Sequence, residues 1–363
     1  MGFMRVGIVT QPLEMNYGGI LQNWALQQVL KRLGHDPITI DAYQRFSTPH
    51  FVFNYVRARF MLMLGREYYL PRRYKGAMRS KRTGEFIEDH IVKTKVMWDY
   101  KPSVIKKYRL EALVVGSDQV WRNSYTKNHL HLTDLYLSFA SGFPVKRVAY
   151  AASFGVDKWE YTPEQTAACA PLAQQFDAIS VREQSGVELC RKHLGVDAVC
   201  TLDPTLLLES KDYERIIDDD IEVAEPYLAV YCLDINPVKE AFFNQVAKDH
   251  GLKVRYFWSG WTSQLSIPKW LALFGNATMV VTDSFHGMVF SILFGKDFYV
   301  LCNPHRGNSR MTDLLKQLGL ESRLLSDAEP KEPENREIDW AGAYSRLEKH
   351  RQESIDFLKN SLS

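Results

Sequence analysis

The feature that most constrains the fold of this chain is a repeated junction between a short apolar strand and a helix. In "MVVTDSFHGMVFSILFG" (279–295), apolar residues predict first a buried strand and then a helix. Asp283, Ser284 and His286 interrupt them where the strand ends. Open α/β sheets bind ligands beyond the carboxyl ends of their strands, so this junction is a candidate site. The alternative is a helix cap beside a core histidine.

The order of strands and helices predicts an α/β protein with two Rossmann-like domains facing a central cleft. Strand, helix and strand follow one another within the first forty residues, and a second such series starts near residue 227. We therefore expect an N-terminal domain over 1–205, with a basic insertion near 50–100, and a C-terminal domain over 206–335. The amphipathic segment 336–363 predicts a helix that packs back across both domains.

Composition excludes several classes of function. The net charge of +2 provides no global attraction to nucleic acid, and no apolar run approaches the ~20 residues of a membrane span. Five cysteines form no CxxC pair, which favours a reduced, cytoplasmic protein. His129 and His131 form an isolated pair without a carboxylate or cysteine at useful spacing, so we expect no metal site.

The segment 57–82 is strongly basic. It contains nine Lys or Arg residues and a single acid, Glu67, interleaved with aromatic and aliphatic residues. A basic amphipathic segment can lie on an anionic membrane surface, which would make the protein peripheral at the inner face of the membrane. The alternative is a solvated helical face.

A second junction, "NYGGIL", separates the first strand from the first helix. Asn16, Tyr17, Gly18 and Gly19 fill it, and paired glycines let a ligand approach backbone N–H groups at a helix start. Anions or sugar hydroxyls could bind there, although no nucleotide-binding fingerprint is present. The alternative is a tight turn that requires positive φ.

Two further junctions carry charged residues. In "VVGSDQVW", Asp118 can accept a proton from a hydroxyl and Trp121 can stack against a sugar ring. In "ISVREQ", Arg182 can bind phosphate or carboxylate with its planar fork, and Glu183 follows it. The alternatives are a helix cap at Asp118 and a salt bridge at Arg182.

These segments together resemble the polysaccharide pyruvyl transferases. The likeness rests on "NYGGILQNWALQ", "VVGSDQVW", "YAASFG", "ISVRE", "LDPTLLL", "VVTDSFHGMVFSILFG" and "NSRMTDLLKQLGL", in that order. The resemblance implies a GT-B-like fold and transfer of the enolpyruvyl group of phosphoenolpyruvate to a sugar as a cyclic ketal. It ties Arg182 and His286 to the donor, and it also implies a role for Asp118.

The chemistry of phosphoenolpyruvate suits these residues, because a carboxylate and a phosphate on three carbons demand cationic partners. We expect Arg182, Ser284, Phe285, His286, Gly287 and Arg310 to bind the donor. Asn16, Tyr17, Gly18, Gly19 and Trp121 would bind the saccharide acceptor, which is free or lipid-linked. The general acid and base would come from Asp118, Glu183 and Asp283, which the sequence does not rank.

No cofactor is expected beyond phosphoenolpyruvate as co-substrate. Two alternatives to the pyruvyl transferase remain, namely a GT-B nucleotide-sugar glycosyltransferase and a non-catalytic glycan- or anion-binding protein. In both alternatives Arg182 and His286 would bind an anionic group other than phosphoenolpyruvate. The sequence does not indicate the oligomeric state, the acceptor sugar or the stereochemistry of the ketal.

Overall fold

A computed structural model describes residues 2–14, 16–43, 48–64, 81–126, 131–217, 225–257, 265–303, 306–335 and 337–363. The chain divides into two compact units: the first contains Met1–Leu207 and Gln352–Ser363, and the second contains Leu208–Arg351. The division after Leu207 lies two residues beyond the boundary expected from the sequence. The last residues of the C-terminal segment, Gln352–Ser363, belong to the first unit.

The first unit contains strands and helices that alternate along the chain. Its strands are β1 (Arg5–Val9), β2 (Asp36–Thr39), β3 (Ala42–Tyr43), β4 (Met97–Trp98), β5 (Ala112–Val115), β6 (Lys146–Ala152), β7 (Ala178–Val181) and β8 (Val199–Cys200). Its helices are α1 (Tyr17–Arg32), α2 (Thr48–Met63), α3 (Lys81–His90), α4 (Ser103–Tyr108), α5 (Asn123–Thr126), α6 (Pro163–Ala173) and α7 (Gln184–Leu189).

Six strands of the first unit form a parallel sheet in the order β2-β1-β5-β6-β7-β8, and β3 pairs with β4. Parallel strands are covered on both faces, which explains why β1 and β5 are runs of buried apolar residues. The chain continues from β1 to β2 on one side and from β5 to β6 on the other. The strand order therefore reverses between β1 and β5, which is where open α/β sheets bind ligands.

The second unit repeats this plan. Its strands are β9 (Tyr227–Tyr231), β10 (Lys253–Tyr256), β11 (Met279–Thr282), β12 (Asp297–Leu301) and β13 (Leu324–Leu325). Its helices are α8 (Ser210–Glu214), α9 (Pro237–Asp249), α10 (Ile267–Gly275), α11 (Phe285–Leu293), α12 (Ser309–Leu318) and α13 (Trp340–Ser361), whose end belongs to the first unit.

The parallel sheet of the second unit has the order β10-β9-β11-β12-β13, so its strand order reverses between β9 and β11. Tyr231, Trp270, Phe274 and Phe290 pack edge to face beside this sheet and form much of its core. Two parallel sheets with intervening helices confirm the predicted α/β class. The short strands β3, β4 and β13 were not predicted.

The basic segment 57–82 is described only in part. Its first residues belong to α2 and its last to α3, while 65–80 lie outside the described residues. Among the residues with described positions, no helix is both long enough and apolar enough to cross a bilayer.

Candidate functional site

The candidate site of the first unit lies at the point where its strand order reverses. The segment Gly116-Ser117-Asp118 follows β5 directly, and Gly116 has a φ of +129°. A Cβ atom at Gly116 would lie 2.0 Å from the Tyr150 carbonyl oxygen, so only glycine fits. The chain therefore turns beside β6 and places Asp118 at the carboxyl end of the sheet.

Asp118 is held by two side chains from other elements. Its Oδ2 accepts a hydrogen bond from Asn16 Nδ2 at 3.1 Å, and its Oδ1 accepts one from Arg182 Nη2 at 3.3 Å. Asn16 precedes α1 and Arg182 follows β7. The structure thus brings together three residues that the sequence predicted at three separate junctions.

Arg182 has a carboxylate partner that the sequence analysis missed. Its Nη1 donates to Asp203 Oδ2 at 2.6 Å, and the arginine side chain is only 2% exposed. Burial opposes the charged form, but Asp203 and Asp118 raise the pKa of Arg182 above its ordinary value. We expected the guanidinium of Arg182 to face a ligand anion. Both of its terminal nitrogens instead contact carboxylates of the protein, as the salt-bridge alternative predicts.

Asp203 is itself fixed by hydroxyl and amide donors. Ser117 Oγ donates to its Oδ2 at 3.1 Å, while the Thr205 amide and Oγ1 donate to its Oδ1 at 3.0 and 2.6 Å. The Ser117 amide donates to Gln22 Oε1 at 2.9 Å, which ties the β5 end to α1. Asp203, Arg182 and Asp118 therefore form a buried network with defined positions.

Glu183 has a structural role in this geometry. It is fully buried, and its Oε1 accepts hydrogen bonds from the amides of Phe154 and Gly155 and from Ser153 Oγ. These donors belong to the loop that follows β6. Of the two carboxylates predicted as acid or base in this unit, Asp118 is the one at the reversal point.

Trp121 does not have the position predicted for it. The side chain is 0% exposed, its ring stacks on Tyr136 at a centroid distance of 4.9 Å, and its Nε1 donates to the Leu135 carbonyl. A tryptophan enclosed by core residues cannot stack against a sugar, so the predicted acceptor contact is wrong. Trp121 belongs to a buried apolar cluster with Leu135, Tyr136 and Phe139, which lie on two 3₁₀ turns between residues 132 and 140.

The glycines of the second junction are also placed differently from the prediction. Tyr17, Gly18 and Gly19 are buried in the first turn of α1 and do not form a loop before it. Neither glycine has positive φ, so the tight-turn alternative is wrong. A Cβ atom at Gly19 would lie 3.0 Å from Asn16 Nδ2, which explains why a glycine lets the Asn16 side chain lie over the helix start.

The candidate site of the second unit is centred on Asp283, which follows β11. Its Oδ1 accepts from the Leu233 amide at 2.6 Å, and its Oδ2 accepts from the Asp234 amide at 3.1 Å and from Lys239 Nζ at 3.0 Å. Asp283 is 2% exposed. The carboxylate therefore fixes the loop after β9, and its contacts fit a structural role better than proton transfer.

Four polar residues of this cluster were not singled out from the sequence: Asp234, Lys239, Asn303 and Arg306. Asn303 Nδ2 donates to both Asp234 at 2.7 Å and Asp283 at 3.1 Å. Arg306 Nε donates to Asp234 Oδ2 at 2.6 Å and lowers the pKa of Asp234 to about 2, against a smaller opposing effect of burial. The ends of β9, β11 and β12 are thereby joined by one network.

Five of the six predicted donor residues, all except Arg182, surround the start of α11. Ser284 caps this helix and accepts a hydrogen bond from the Gly287 amide, while His286 is 7% exposed in its first turn. Arg310, from the first turn of α12, lies over the Phe285 ring at 5.6 Å. These five residues are brought together, and the helix N-terminus adds partial positive charge.

Gly287 is required by packing against β11 and β9. A Cβ atom there would lie 2.2 Å from Thr282 Oγ1 and 3.1 Å from Tyr231 Cδ1. Thr282 Oγ1 already donates to the Tyr231 carbonyl and accepts from the Ser284 amide. The "SFHG" sequence thus lets the first turn of α11 approach the sheet closely.

The two clusters differ in charge. In the first unit the guanidinium of Arg182 faces the carboxylates of Asp118, Glu183 and Asp203. In the second unit Lys239, Arg306 and Arg310 accompany the carboxylates of Asp234 and Asp283. Carboxylates therefore outnumber cations in the first cluster, and cations outnumber carboxylates in the second.

Only one residue of the histidine pair lies in the part of the chain that the structure covers. His131 is exposed, and His129 lies outside the described residues. Within the described ranges, no group of three His, Cys, Asp or Glu side chains is arranged to bind a metal ion.

Comparison with known proteins gives a family match and several structural neighbours. The family model described as Polysaccharide pyruvyl transferase matches residues 16–303, which include the first cluster and all of the second except Arg306 and Arg310. No curated protein is significantly similar in sequence to the chain.

Two solved structures show the similarity of fold. The first is a putative UDP-N-acetylglucosamine 2-epimerase from Listeria monocytogenes, with a TM-score of 0.52 and 10% identity over 99% of this chain and 92% of that chain. The second is another UDP-N-acetylglucosamine 2-epimerase, with a TM-score of 0.50 and 10% identity over 99% and 91% of the two chains. These neighbours are consistent with two Rossmann-like units of the GT-B type. At this identity they support the fold alone.

Proposed function

Because the chain belongs to the polysaccharide pyruvyl transferase family, we propose that it moves the enolpyruvyl group of phosphoenolpyruvate onto a sugar and releases phosphate. The acceptor is part of a cell-surface polysaccharide or of its lipid-linked precursor, and the product is a cyclic pyruvate ketal. The observation that supports this proposal is a cluster of polar residues at the strand-order reversal of each sheet. One cluster is rich in carboxylates and the other in cations.

The donor binds to the cationic cluster of the second unit. Phosphoenolpyruvate has a phosphate and a carboxylate, and the start of α11 provides backbone N–H groups together with His286. Arg310 lies beside the same helix start, over Phe285, and adds a positive charge. His286 in its protonated form contacts the phosphate and gives it a proton as it leaves.

The acceptor binds to the carboxylate cluster of the first unit, where Asp118 is the general base. Asn16 and Arg182 each hold one oxygen of Asp118, which orients the carboxylate toward a sugar hydroxyl. Arg182 is then a positioning residue that acts through Asp118 and does not itself bind the donor. Asp203 positions Arg182 in turn.

The reaction balances with two hydroxyl groups of one sugar. The methylene carbon of phosphoenolpyruvate gains a proton and becomes a methyl group, and the first hydroxyl oxygen bonds to the neighbouring carbon. The bond from that carbon to the phosphate oxygen breaks, and the second hydroxyl oxygen takes its place. Each of the two sugar hydroxyls loses one proton. One of these protons balances the proton that the methylene carbon gains, and the other leaves with the released phosphate.

We propose a cytoplasmic location for this reaction, at the inner face of the membrane if the acceptor is lipid-linked. Support comes from the five cysteines, all of which are free thiols. Free cysteines are typical of a reducing compartment. No cofactor is proposed besides phosphoenolpyruvate as co-substrate.

The decisive experiment measures phosphate release from phosphoenolpyruvate with a panel of galactosides and N-acetylhexosamines. We expect release that depends on the acceptor, together with a new ketal methyl signal in the proton NMR spectrum of the product. His286→Asn should lower the turnover by about 10²-fold or more. His131→Asn, at an exposed position, is the matched control and should behave like the wild type.

Ligand-dependent thermal shifts separate the proposal from its alternatives, because only a ligand that binds the folded state stabilises it. Stabilisation by nucleotide sugars and not by phosphoenolpyruvate would replace the proposal with a glycosyltransferase. Stabilisation by phosphoenolpyruvate without phosphate release, across the whole panel, would instead indicate a binding protein.

A further inference from the structure

Helix α2 exposes a contiguous apolar face to solvent. Val52, Phe53, Val56, Phe60 and Met63 define this face, and each of them is at least half exposed, from 51% at Val52 to 83% at Met63. Folded proteins rarely leave a large apolar patch of this kind uncovered unless it binds a partner or a membrane.

The five side chains form one continuous surface. At about 100° per residue, they occupy an arc of roughly 100° around the helix axis. Ala58 lies away from this arc and is fully buried. The helix is therefore packed against the protein on one side and presents bulky apolar groups on another.

Positive charge borders the apolar face on both sides. Arg57 and Arg59 are exposed, and helical spacing puts each of them about 20–40° beyond one edge of the arc. No acidic residue occurs between Thr48 and Leu64. Long arginine side chains in this position can extend toward lipid headgroups while the apolar face contacts the acyl region.

We infer that this face of α2 binds an anionic lipid surface. A second copy of the chain is less suitable, because a symmetric contact through the same face would place Arg57 and Arg59 near their own symmetry mates. Anionic headgroups neutralise these arginines instead, and the bilayer covers Phe53, Phe60 and Met63. The inference assigns the membrane contact to the described helix and is independent of the transferase reaction.

The test is co-sedimentation of the full chain with phosphatidylcholine vesicles that contain or lack phosphatidylglycerol. We expect binding to the anionic vesicles that weakens as salt rises, since surface charge is screened. The triple variant Phe53→Gln, Phe60→Gln and Met63→Gln should bind about tenfold or more weakly. Arg57→Gln with Arg59→Gln should bind less and lose most of the salt dependence.

A matched control removes exposed apolar groups elsewhere. Phe3→Gln with Val199→Gln changes side chains that are 69% and 50% exposed, and it should bind vesicles like the wild type. Equal binding of the α2 triple variant and the wild type would overturn the inference. So would absence of vesicle binding combined with a concentration-dependent dimer, measured by sedimentation velocity, that the triple variant abolishes.

Discussion

The guanidinium of Arg182 donates from Nη1 to Oδ2 of Asp203 at 2.6 Å, and both side chains are almost completely buried. Nη2 of the same arginine contacts Asp118 at 3.3 Å. The charged residue at the end of β7 is thus neutralised within the first unit before any ligand binds. Substitutions at Arg182 should therefore affect the folding stability of the first unit.

Arg182→Ala should destabilise the first unit. Removing one partner of a buried ion pair leaves uncompensated carboxylates, so the free energy of unfolding should fall by about 3–5 kcal/mol. Chemical denaturation measures this directly. Arg191→Ala is the control, because Arg191 is exposed and pairs with Glu188 at the surface, and it should change stability by less than about 0.5 kcal/mol. A variant at position 182 as stable as the wild type would contradict the network.

Asp118→Asn should lower the turnover while leaving the fold intact. Asparagine tolerates the φ of +70° at this position and keeps an oxygen that can accept from Arg182. If Asp118 is the general base, turnover should fall by about 10²–10⁴-fold while KM for phosphoenolpyruvate changes little. Asp157→Asn, at an exposed position of the same unit, is the control. Wild-type turnover by the Asp118 variant would remove Asp118 from the mechanism.

Gly287→Ala should disturb the donor cluster through sterics alone. Its methyl group would meet Thr282 Oγ1 at 2.2 Å, so the start of α11 has to move, at a cost of about 1–3 kcal/mol. Gly275→Ala provides a matched change at the end of α10, where the new Cβ meets only Ile217 Cδ1 at 3.4 Å. Thermal unfolding of the two variants should therefore differ, with Gly275→Ala close to the wild type.

The contact between Arg306 and Asp234 predicts a specific pH dependence. The pKa of Asp234 is lowered from 3.8 to about 2, so the stabilisation is present above the ordinary pKa and is lost as pH falls from about 4 to 2. Arg306→Gln should return the pKa of Asp234 toward its usual value. The free energy of unfolding of this variant should then fall less steeply as the pH is lowered from about 4 to 2. Unfolding followed between pH 5 and pH 2 measures the slope.

The control for this pH dependence is Arg255→Gln, since Arg255 lies over the Tyr227 ring and not beside Asp234. Between pH 5 and pH 2, the free energy of unfolding of this variant should change with pH as it does in the wild type. Asp234 is partly exposed, so the difference between Arg306→Gln and the wild type should shrink at high salt. A salt-independent difference would indicate another cause.

Ser354→Ala should weaken the attachment of α13 to the first unit. Ser354 Oγ accepts a hydrogen bond from the Leu202 amide at 3.0 Å, and both groups are buried. The substitution leaves the buried Leu202 amide without this acceptor, which should lower the free energy of unfolding by about 1–3 kcal/mol. The control is Ser361→Ala, because the Ser361 hydroxyl donates to the Phe357 carbonyl of the same helix. This substitution should lower the free energy of unfolding much less. Equal effects of the two substitutions would argue against a role for this contact.

Strands and their carboxyl ends could be predicted from the sequence because apolar runs in parallel sheets are nearly continuous. The same patterns put Asp118, Arg182 and Asp283 at those ends, where the structure has them. The short strands β3 and β13 could not be predicted, since two residues carry no periodic signal.

The partners of the site residues were harder to predict than their positions. Arg182 and Asp203 are separated by 21 residues and meet only because β7 and β8 are neighbours in the sheet. Asp203 nevertheless carried a signal, since it ends the apolar segment "AVCTLD" as the other candidates end theirs. Trp121 shows the converse, because a residue type suited to sugar stacking is equally suited to a core, and only packing distinguishes the two roles.

The division of α13 between the two units has a consequence for biosynthesis. Gln352–Ser363 completes the first unit, and it contributes the buried side chains of Leu358 and Leu362. A ribosome delivers Met1–Leu207 first, then the whole second unit, and only afterwards this final portion. The amino-terminal half therefore waits incomplete while the half translated later can already reach its native state, so the order of translation is not the order of completion.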